Sequence, residues 1–343
     1  MNNINIECLR KLDTPYNIKN KYNVKYDDIL FINNTRNTIS SILKGQNKKK
    51  LVIVGPCSIH DYELCIDYAK RLKDVMSNCE NLFIVLRMYF EKPRTIAGWK
   101  GYLYDPNLDG SNNIEEGLVS VRKLLLEVTR MRIPIATEFL DTIIPQYIDD
   151  LISFGCIGAR TTESQLHRQL ASGLSMPIGF KNRTDGNVEI AMNAILSAKN
   201  PHTFMGVDIN GSACIVTTNG NNSLCVVLRG DCVNGSNIKE CIMEDIVNKI
   251  EEKNINNNII VDVSHDNTLV NGKKDYRRQI DNIKYLKNCW DNNKYENVIG
   301  IMIESNLKEG KQNISNNIEY GVSITDGCID FESTQMLLNL LNK

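Results

Sequence analysis

"LVIVGPCSIHDYELCIDYAKRLKDVMSNCENLFIVLRMYF", residues 51–90, reads as a strand, a helix and a second strand in immediate succession. Four apolar residues run into Gly55-Pro56, and the same density of β-branched and large apolar residues returns at "LFIVLRM", 82–88. Between them "YELCIDYAKRLKDVM", 62–76, carries its apolar residues at helical spacing. A strand with no polar alternation is covered on its outer face as well as its inner one. With a helical crossover to the next strand, that means a parallel sheet.

The unit repeats along the chain. Further strand-like runs are "IPIATEF" (133–139), "CIGAR" (156–160), "PIGFK" (177–181), "CVVLRG" (225–230), "NIIVDVS" (258–264) and "VIGIMIES" (298–305). Helical patterns lie between most of them: 115–131, 142–154, 164–174, 188–198 and 238–253. Eight strand–helix units over roughly 250 residues predict a (β/α)8 TIM barrel, with chemistry gathered at the C-terminal strand ends. An open, doubly wound sheet is the alternative. It would call for a Gly-rich phosphate turn after one strand, and neither GxGxxG nor a Walker sequence is present.

Two segments fall outside the eight units. Residues 1–48 form an N-terminal extension with one expected helix, "TRNTISSILKG" (35–45), stopping at Gly45. Residues 202–218, "HTFMGVDINGSACIVTT", read as a β-hairpin inserted before the sixth barrel strand. The catalytic barrel is therefore expected at 49–343, hairpin included, and both extra segments are candidates for assembly or regulation.

Composition excludes several classes of function. Of 343 residues, 40 are basic and 41 acidic, giving a formal charge of −1, so no nucleic-acid or membrane-surface partner is expected. "MNNINIECLR" has no apolar core of a secretory signal, and every apolar run is too short to span a membrane. The 11 cysteines are odd in number and lack a CxxC pair, so free thiols in a reducing cytoplasm are expected. Cys65, Cys79, Cys156, Cys225 and Cys328 sit among apolar residues as packing groups.

The strand ends share one property. In order they deliver Cys57, Arg87 (leading to "EKPRT"), Glu138, Arg160, Lys181, Arg229, His265 and Glu304. A lone Arg at a strand end is commonly a solvated rim residue. Several convergent cations repel one another unless anions neutralise them, so the set predicts a small, highly anionic substrate. Cys57 alone is ambiguous: nucleophile, metal ligand, half of a disulfide, or buried packing group. With His265, Glu304 and the later Asp326 of "SITDGC", it makes a thiolate–imidazole–carboxylate set suited to a divalent transition ion. His60 is a weak candidate for a base on Cys57; His60 and Asp61 fit support or helix-capping roles better. His167 and His202 read as surface or satisfied-core residues.

These motifs resemble the type I 3-deoxy-D-arabino-heptulosonate 7-phosphate (DAHP) synthases, in the subgroup shared by enteric bacteria and yeasts. The resemblance rests on "GPCSIHD", "RMYFEKPRTIAGWKGYLYDP", "ATEFLD", "GARTTESQLHRQLASGLSMPIGFKN", "DVSHDN", "IMIESNLKEG" and "SITDGCIDFE", spread over residues 51–331. It implies a transferase that condenses phosphoenolpyruvate with erythrose 4-phosphate, releasing phosphate, at the entry to the shikimate pathway of aromatic amino acid biosynthesis. It further implies that Arg87, Lys92, Ala159, Arg160, Lys181 and Arg229 hold phosphoenolpyruvate. Lys92, Pro93, Arg94 and Thr95, with Asp326, would hold the sugar phosphate. Cys57, His265, Glu304 and Asp326 would bind one divalent ion of the Mn, Co, Fe or Zn class. Lys92, Cys57, His265 and Glu138 would form the catalytic set.

For regulation, the resemblance implies a homodimer or homotetramer and a feedback site for an aromatic amino acid, with Pro145, Gln146, Ser175 and Gly206 on its motif positions. Gly206 leaves more room than the Ser of phenylalanine-sensitive relatives, which points to tyrosine. The chain departs from the family pattern at Arg183, Asp231 and Thr268, in the absence of an aromatic after Ser111, and in extra residues before Lys273 and Lys274. Two competing functions are a 3-deoxy-octulosonate 8-phosphate synthase-like enzyme and an inactive, amino-acid-sensing barrel. "KPRT" disfavours the first, and the intact cation and ligand sets disfavour the second.

Overall fold

A computed structural model describes residues 2–253, 255 and 258–343. Twelve strands are described: β1 Lys50–Gly55, β2 Leu82–Arg87, β3 Ile135–Glu138, β4 Phe154–Ile157, β5 Ile178–Lys181, β6 Thr203–Val207, β7 Ala213–Thr217, β8 Leu224–Leu228, β9 Ile259–Asp262, β10 Leu269–Val270, β11 Lys273–Lys274 and β12 Val298–Glu304. Eight of them close into a parallel barrel in the order β1-β12-β9-β8-β5-β4-β3-β2, the expected fold. β6 pairs antiparallel with β7 and β10 with β11, each as a separate hairpin.

The helices are α1 Pro15–Lys21, α2 Tyr26–Leu43, α3 Tyr62–Met76, α4 Ile114–Arg130, α5 Pro145–Ile148, α6 Gln165–Gly173, α7 Glu189–Ala198, α8 Glu240–Glu252, α9 Arg278–Asp291 and α10 Phe331–Leu341. α3 occupies the predicted span, and Asp61 caps it by accepting from the Leu64 N–H at 2.8 Å. The helix expected over 142–154 is a single turn, α5, followed by a 3-10 turn over Asp149–Leu151. Its end is drawn into the core by Arg122, which binds the Tyr147 carbonyl and the Asp150 carboxylate at 2.7 Å each.

Side chains alternate between two cores. Those pointing outward from the strands pack under the helices in one large cluster. Those pointing inward, including Leu51, Ile53, Val85, Phe154, Val227, Ile260 and Met302, fill the barrel. Ile39, Ile42 and Leu43 of α2 belong to this inner cluster and are fully buried, so α2 closes the N-terminal end of the barrel. Packing is thus continuous across residue 48. With the lower barrel filled by apolar groups, the polar inward positions among the described residues lie near the C-terminal rim.

Candidate active site

The period of two that fills the barrel also builds the site. Two residues beyond inward-facing Val85 comes Arg87, and two beyond Ala136 comes Glu138. Likewise Val227 leads to Arg229, Ile260 to Asp262, and Met302 to Glu304. The uppermost inward layer is therefore ionic. Gly158 follows β4 because a Cβ there would stand 2.4 Å from Glu138 Oε1.

Arg87 is fully buried and anchors this layer. It donates to the Pro56 carbonyl, to the Cys57 carbonyl at 2.8 Å and to Glu304 Oε1 at 3.0 Å. Its guanidinium lies 3.7 Å from the centre of the Tyr89 ring. Lys181 Nζ sits between Glu138 Oε2, at 3.5 Å, and Asp262 Oδ2, at 3.4 Å. Burial pulls the Lys181 ammonium downward, but those two carboxylates outweigh it and its pKa is raised. Burial likewise opposes ionisation of Glu138, and Lys181, Lys92 and Arg87 hold it below the ordinary range. Arg229 pairs with Asp266. Arg160 donates to Thr95 Oγ1 at 3.0 Å.

Beside these cations lie the metal-competent groups. Cys57, Glu304 and Asp326 each bring one donor atom within 4.8 Å of the others. His265, the fourth expected ligand, stands outside that circle, with Nε2 3.7 Å from Glu304 Oε1. Its backbone is left-handed, φ 50, and Thr268 holds the turn by donating to the His265 carbonyl at 2.7 Å. Thr at 268 therefore supplies the hydroxyl function there. Nδ1 of His265 is 2.9 Å from Asp262 Oδ2 and 2.8 Å from Ser264 Oγ, which leaves Nε2 directed to the donor cluster.

This donor set fits a divalent ion: a soft sulfur, two carboxylates and an oriented imidazole. Burial, then Glu304, push the Cys57 thiol up, while Lys92 opposes them from 3.3 Å away. The Glu304 carboxyl, despite burial, is held below the usual range by His265 and Arg87. His60 is buried, and among the described residues its Nδ1 has no hydrogen-bond partner and no hydrogen bond joins it to Cys57.

One cavity of ≈ 290 Å³ connects these groups. Arg87, Lys92, Pro93, Arg94, Glu138, Ala159, Arg160, Lys181, Arg229, His265 and Asp326, all expected from sequence, line it. Cys57 and Glu304 are buried beside it, and Thr95 is exposed outside it. Tyr89, Asp262, Asp266 and Lys274 were not anticipated. The alternation that gave Arg87 also gives Tyr89 and Asp262; Asp266 and Lys274 depend on loop conformation. The proposed effector positions lie elsewhere: Pro145 and Gln146 open α5, Ser175 follows α6, and Gly206 sits on β6. Arg183 is on the surface, paired with Asp185 and Glu163. Asp231 closes its own loop, accepting from the Val233 N–H at 2.6 Å.

Comparison with known proteins gives consistent results. A model of the DAHP synthetase I family matches residues 18–339. The Tyr-sensitive phospho-2-dehydro-3-deoxyheptonate aldolase of Escherichia coli (strain K12) is 42% identical over 348 residues, covering 100% of this chain and 96% of that one. A Trp-sensitive counterpart from Shigella flexneri is also 42% identical, over 97% of this chain and 94% of that one. The solved structure of the Francisella tularensis SCHU S4 phospho-2-dehydro-3-deoxyheptonate aldolase superposes with a TM-score of 0.94 at 41% identity, covering 98% of this chain and 97% of that one.

Proposed function

The chain belongs to the DAHP synthetase I family and is a DAHP synthase, a transferase, and from that premise we propose how its own residues carry out the condensation. The observation that carries the proposal is a single cavity in which Arg87, Lys92, Arg160, Lys181 and Arg229 converge beside Cys57, Glu304 and Asp326. Few small metabolites need that much positive charge, and two phosphorylated substrates do.

Arg87, Arg160, Lys181 and Arg229 hold the carboxylate and phosphate of phosphoenolpyruvate, with the Ala159 backbone beside the phosphate. Arg94 and Thr95, on the strap that follows β2, hold the phosphate of erythrose 4-phosphate. Lys92 stands between the two halves, its Nζ 3.2 Å from the Cys57 carbonyl. One divalent ion of the Mn, Co, Fe or Zn class, held by Cys57, His265, Glu304 and Asp326, would supply Lewis acidity towards the sugar aldehyde.

A carbon–carbon bond forms between C3 of phosphoenolpyruvate and the aldehyde carbon, and the aldehyde oxygen gains a proton. Water adds its oxygen at C2, where it becomes the carbonyl oxygen; the C2–O bond to phosphorus breaks, and the two protons of the water end on the aldehyde oxygen and the departing phosphate. Glu138, ionised and tethered to Lys181, positions the water or the phosphate. The cation layer orients both anions and stabilises the departing one. The test is phosphate release with phosphoenolpyruvate and either erythrose 4-phosphate or arabinose 5-phosphate. Turnover with erythrose 4-phosphate is expected; preference for the pentose phosphate would favour the octulosonate branch.

Regulation by tyrosine belongs to the same reading. Relatives of equal identity carry names for different effectors, so the choice must come from this chain's residues. Gly206 pairs with Cys214 across the hairpin, and a Cβ at 206 would stand 2.7 Å from Cγ2 of the diagonally placed Val216. A Ser at 206 would have to displace the Val216 side chain, so the residue at this position sets how the hairpin packs beside the effector motif. Tyrosine should inhibit the purified protein; inhibition by phenylalanine and not by tyrosine would overturn the Gly206 argument. Assembly into a dimer or tetramer is supported by the exposed apolar side chains of the hairpin, notably Met205 and Ile215. A cytoplasmic site of action is supported by the eleven free thiols.

A further inference from the structure

Lys274 has no role in the scheme above, yet it lines the cavity. It arrives on the β10–β11 hairpin, formed by the residues in which the sequence departs from the family pattern. The turn is Asn271-Gly272 with φ of 50 and 77, the left-handed pair a two-residue type I′ connection requires.

Two anchors fix where this hairpin delivers its lysine. At its base the Asp275 N–H donates to the Thr268 carbonyl at 3.0 Å, in the same turn that carries His265. On its other side the Tyr276 side chain packs against the backbone after Asp326. A Cβ at Gly327 would come within 2.5 Å of Tyr276 Cδ1. Lys274 Nζ is thereby placed 3.0 Å from Asp326 Oδ2 and 3.9 Å from Asp266 Oδ1. The side chain remains 39% exposed, so it borders the open mouth and not the buried ionic layer.

A lysine on a surface hairpin is ordinarily a solvated charge whose ion pair contributes little to stability. Lys274 differs because its partner is one of the donor carboxylates. A divalent ion and an ammonium compete for the same oxygens of Asp326. Once the ion engages that carboxylate, the ammonium is left at a mouth lined by Lys92, Arg94 and Arg160, where an anion is its natural partner.

We infer that Lys274 is a further binding residue for the phosphorylated acceptor, held on Asp326 until a divalent ion takes that carboxylate. This rests on the acceptor reading given under the proposed function. The test compares wild type with Lys274→Met, which keeps the aliphatic stem, and Lys274→Arg, which keeps the charge. In Lys274→Met the KM for erythrose 4-phosphate should rise about tenfold, as for loss of one charged hydrogen bond. The KM for phosphoenolpyruvate should stay near wild type, and Lys274→Arg should recover most of the loss. In substrate-free protein, chelator competition should show Mn²⁺ bound several-fold more tightly by Lys274→Met, because the competing cation is gone. The melting temperature should be unchanged.

An unaltered acceptor KM, or an equal rise for both substrates, would overturn the inference. If wild-type protein does not turn over erythrose 4-phosphate at all, the acceptor reading fails instead. The Mn²⁺ comparison then decides the Lys274–Asp326 competition alone: equal affinities in wild type and Lys274→Met would overturn it.

Discussion

Glu91, next to Lys92 in "FEKPRT", is 1% exposed and has only weak donors around it. The Asp141 and Leu140 N–H groups reach it at 3.2 and 3.4 Å, and the Tyr104 hydroxyl at 3.3 Å. Burial, then the Asp141 carboxylate, push its pKa from 4.5 up to about 8. Between those values the unfolded chain has lost the proton that the folded chain keeps. Folded stability is therefore full below 4.5 and falls as pH rises towards 8, with a slope of at most about 1.4 kcal/mol per pH unit. Glu91→Gln should flatten that stretch of a denaturation-versus-pH curve; an unchanged slope would mean Glu91 is ionised in the fold. Legibility at this scale follows periodicity. Arg87, Glu138, Lys181, Arg229 and Glu304 were readable because each ends an apolar run. Asp262 ends one as well, but the adjacent "SHDN" drew attention to His265, and only the inward phase from Ile260 marks Asp262 as part of the site.

At the scale of elements, the strands were legible because parallel barrel strands are apolar on both faces. β4 begins two residues before its expected start, since "FGC" is as buried as "CI" but less β-branched. α2 was foreseen only in its second half, and its role as the floor of the barrel was not. Its exposed Ile29 and Leu30 blur the helical stripe that Ile32, Ile39, Ile42 and Leu43 bury. The β6–β7 hairpin was legible in outline, and its exposed face belongs to this scale. Met205 and Ile215 are directly paired across the two strands and 89% and 79% exposed. An apolar pair so exposed is a candidate contact surface for a second copy of the chain. Substituting both by Asp should shift the protein to a smaller species in sedimentation velocity. An unchanged sedimentation coefficient would remove the hairpin from the interface.

For the whole molecule, barrel closure brings together ligands that sequence separates widely. Cys57 and Asp326 lie at opposite ends of the barrel's sequence, and β1 and β12 become neighbours only when the sheet closes. Their convergence could not be read from local spacing. Phosphate release from phosphoenolpyruvate and erythrose 4-phosphate, followed while chelator-stripped protein is titrated with Mn²⁺, tests it most directly. The rate should start near zero, rise to a plateau at one equivalent per chain, and stay near zero throughout for Cys57→Ala. A full rate in stripped protein, or a wild-type titration by Cys57→Ala, would contradict it.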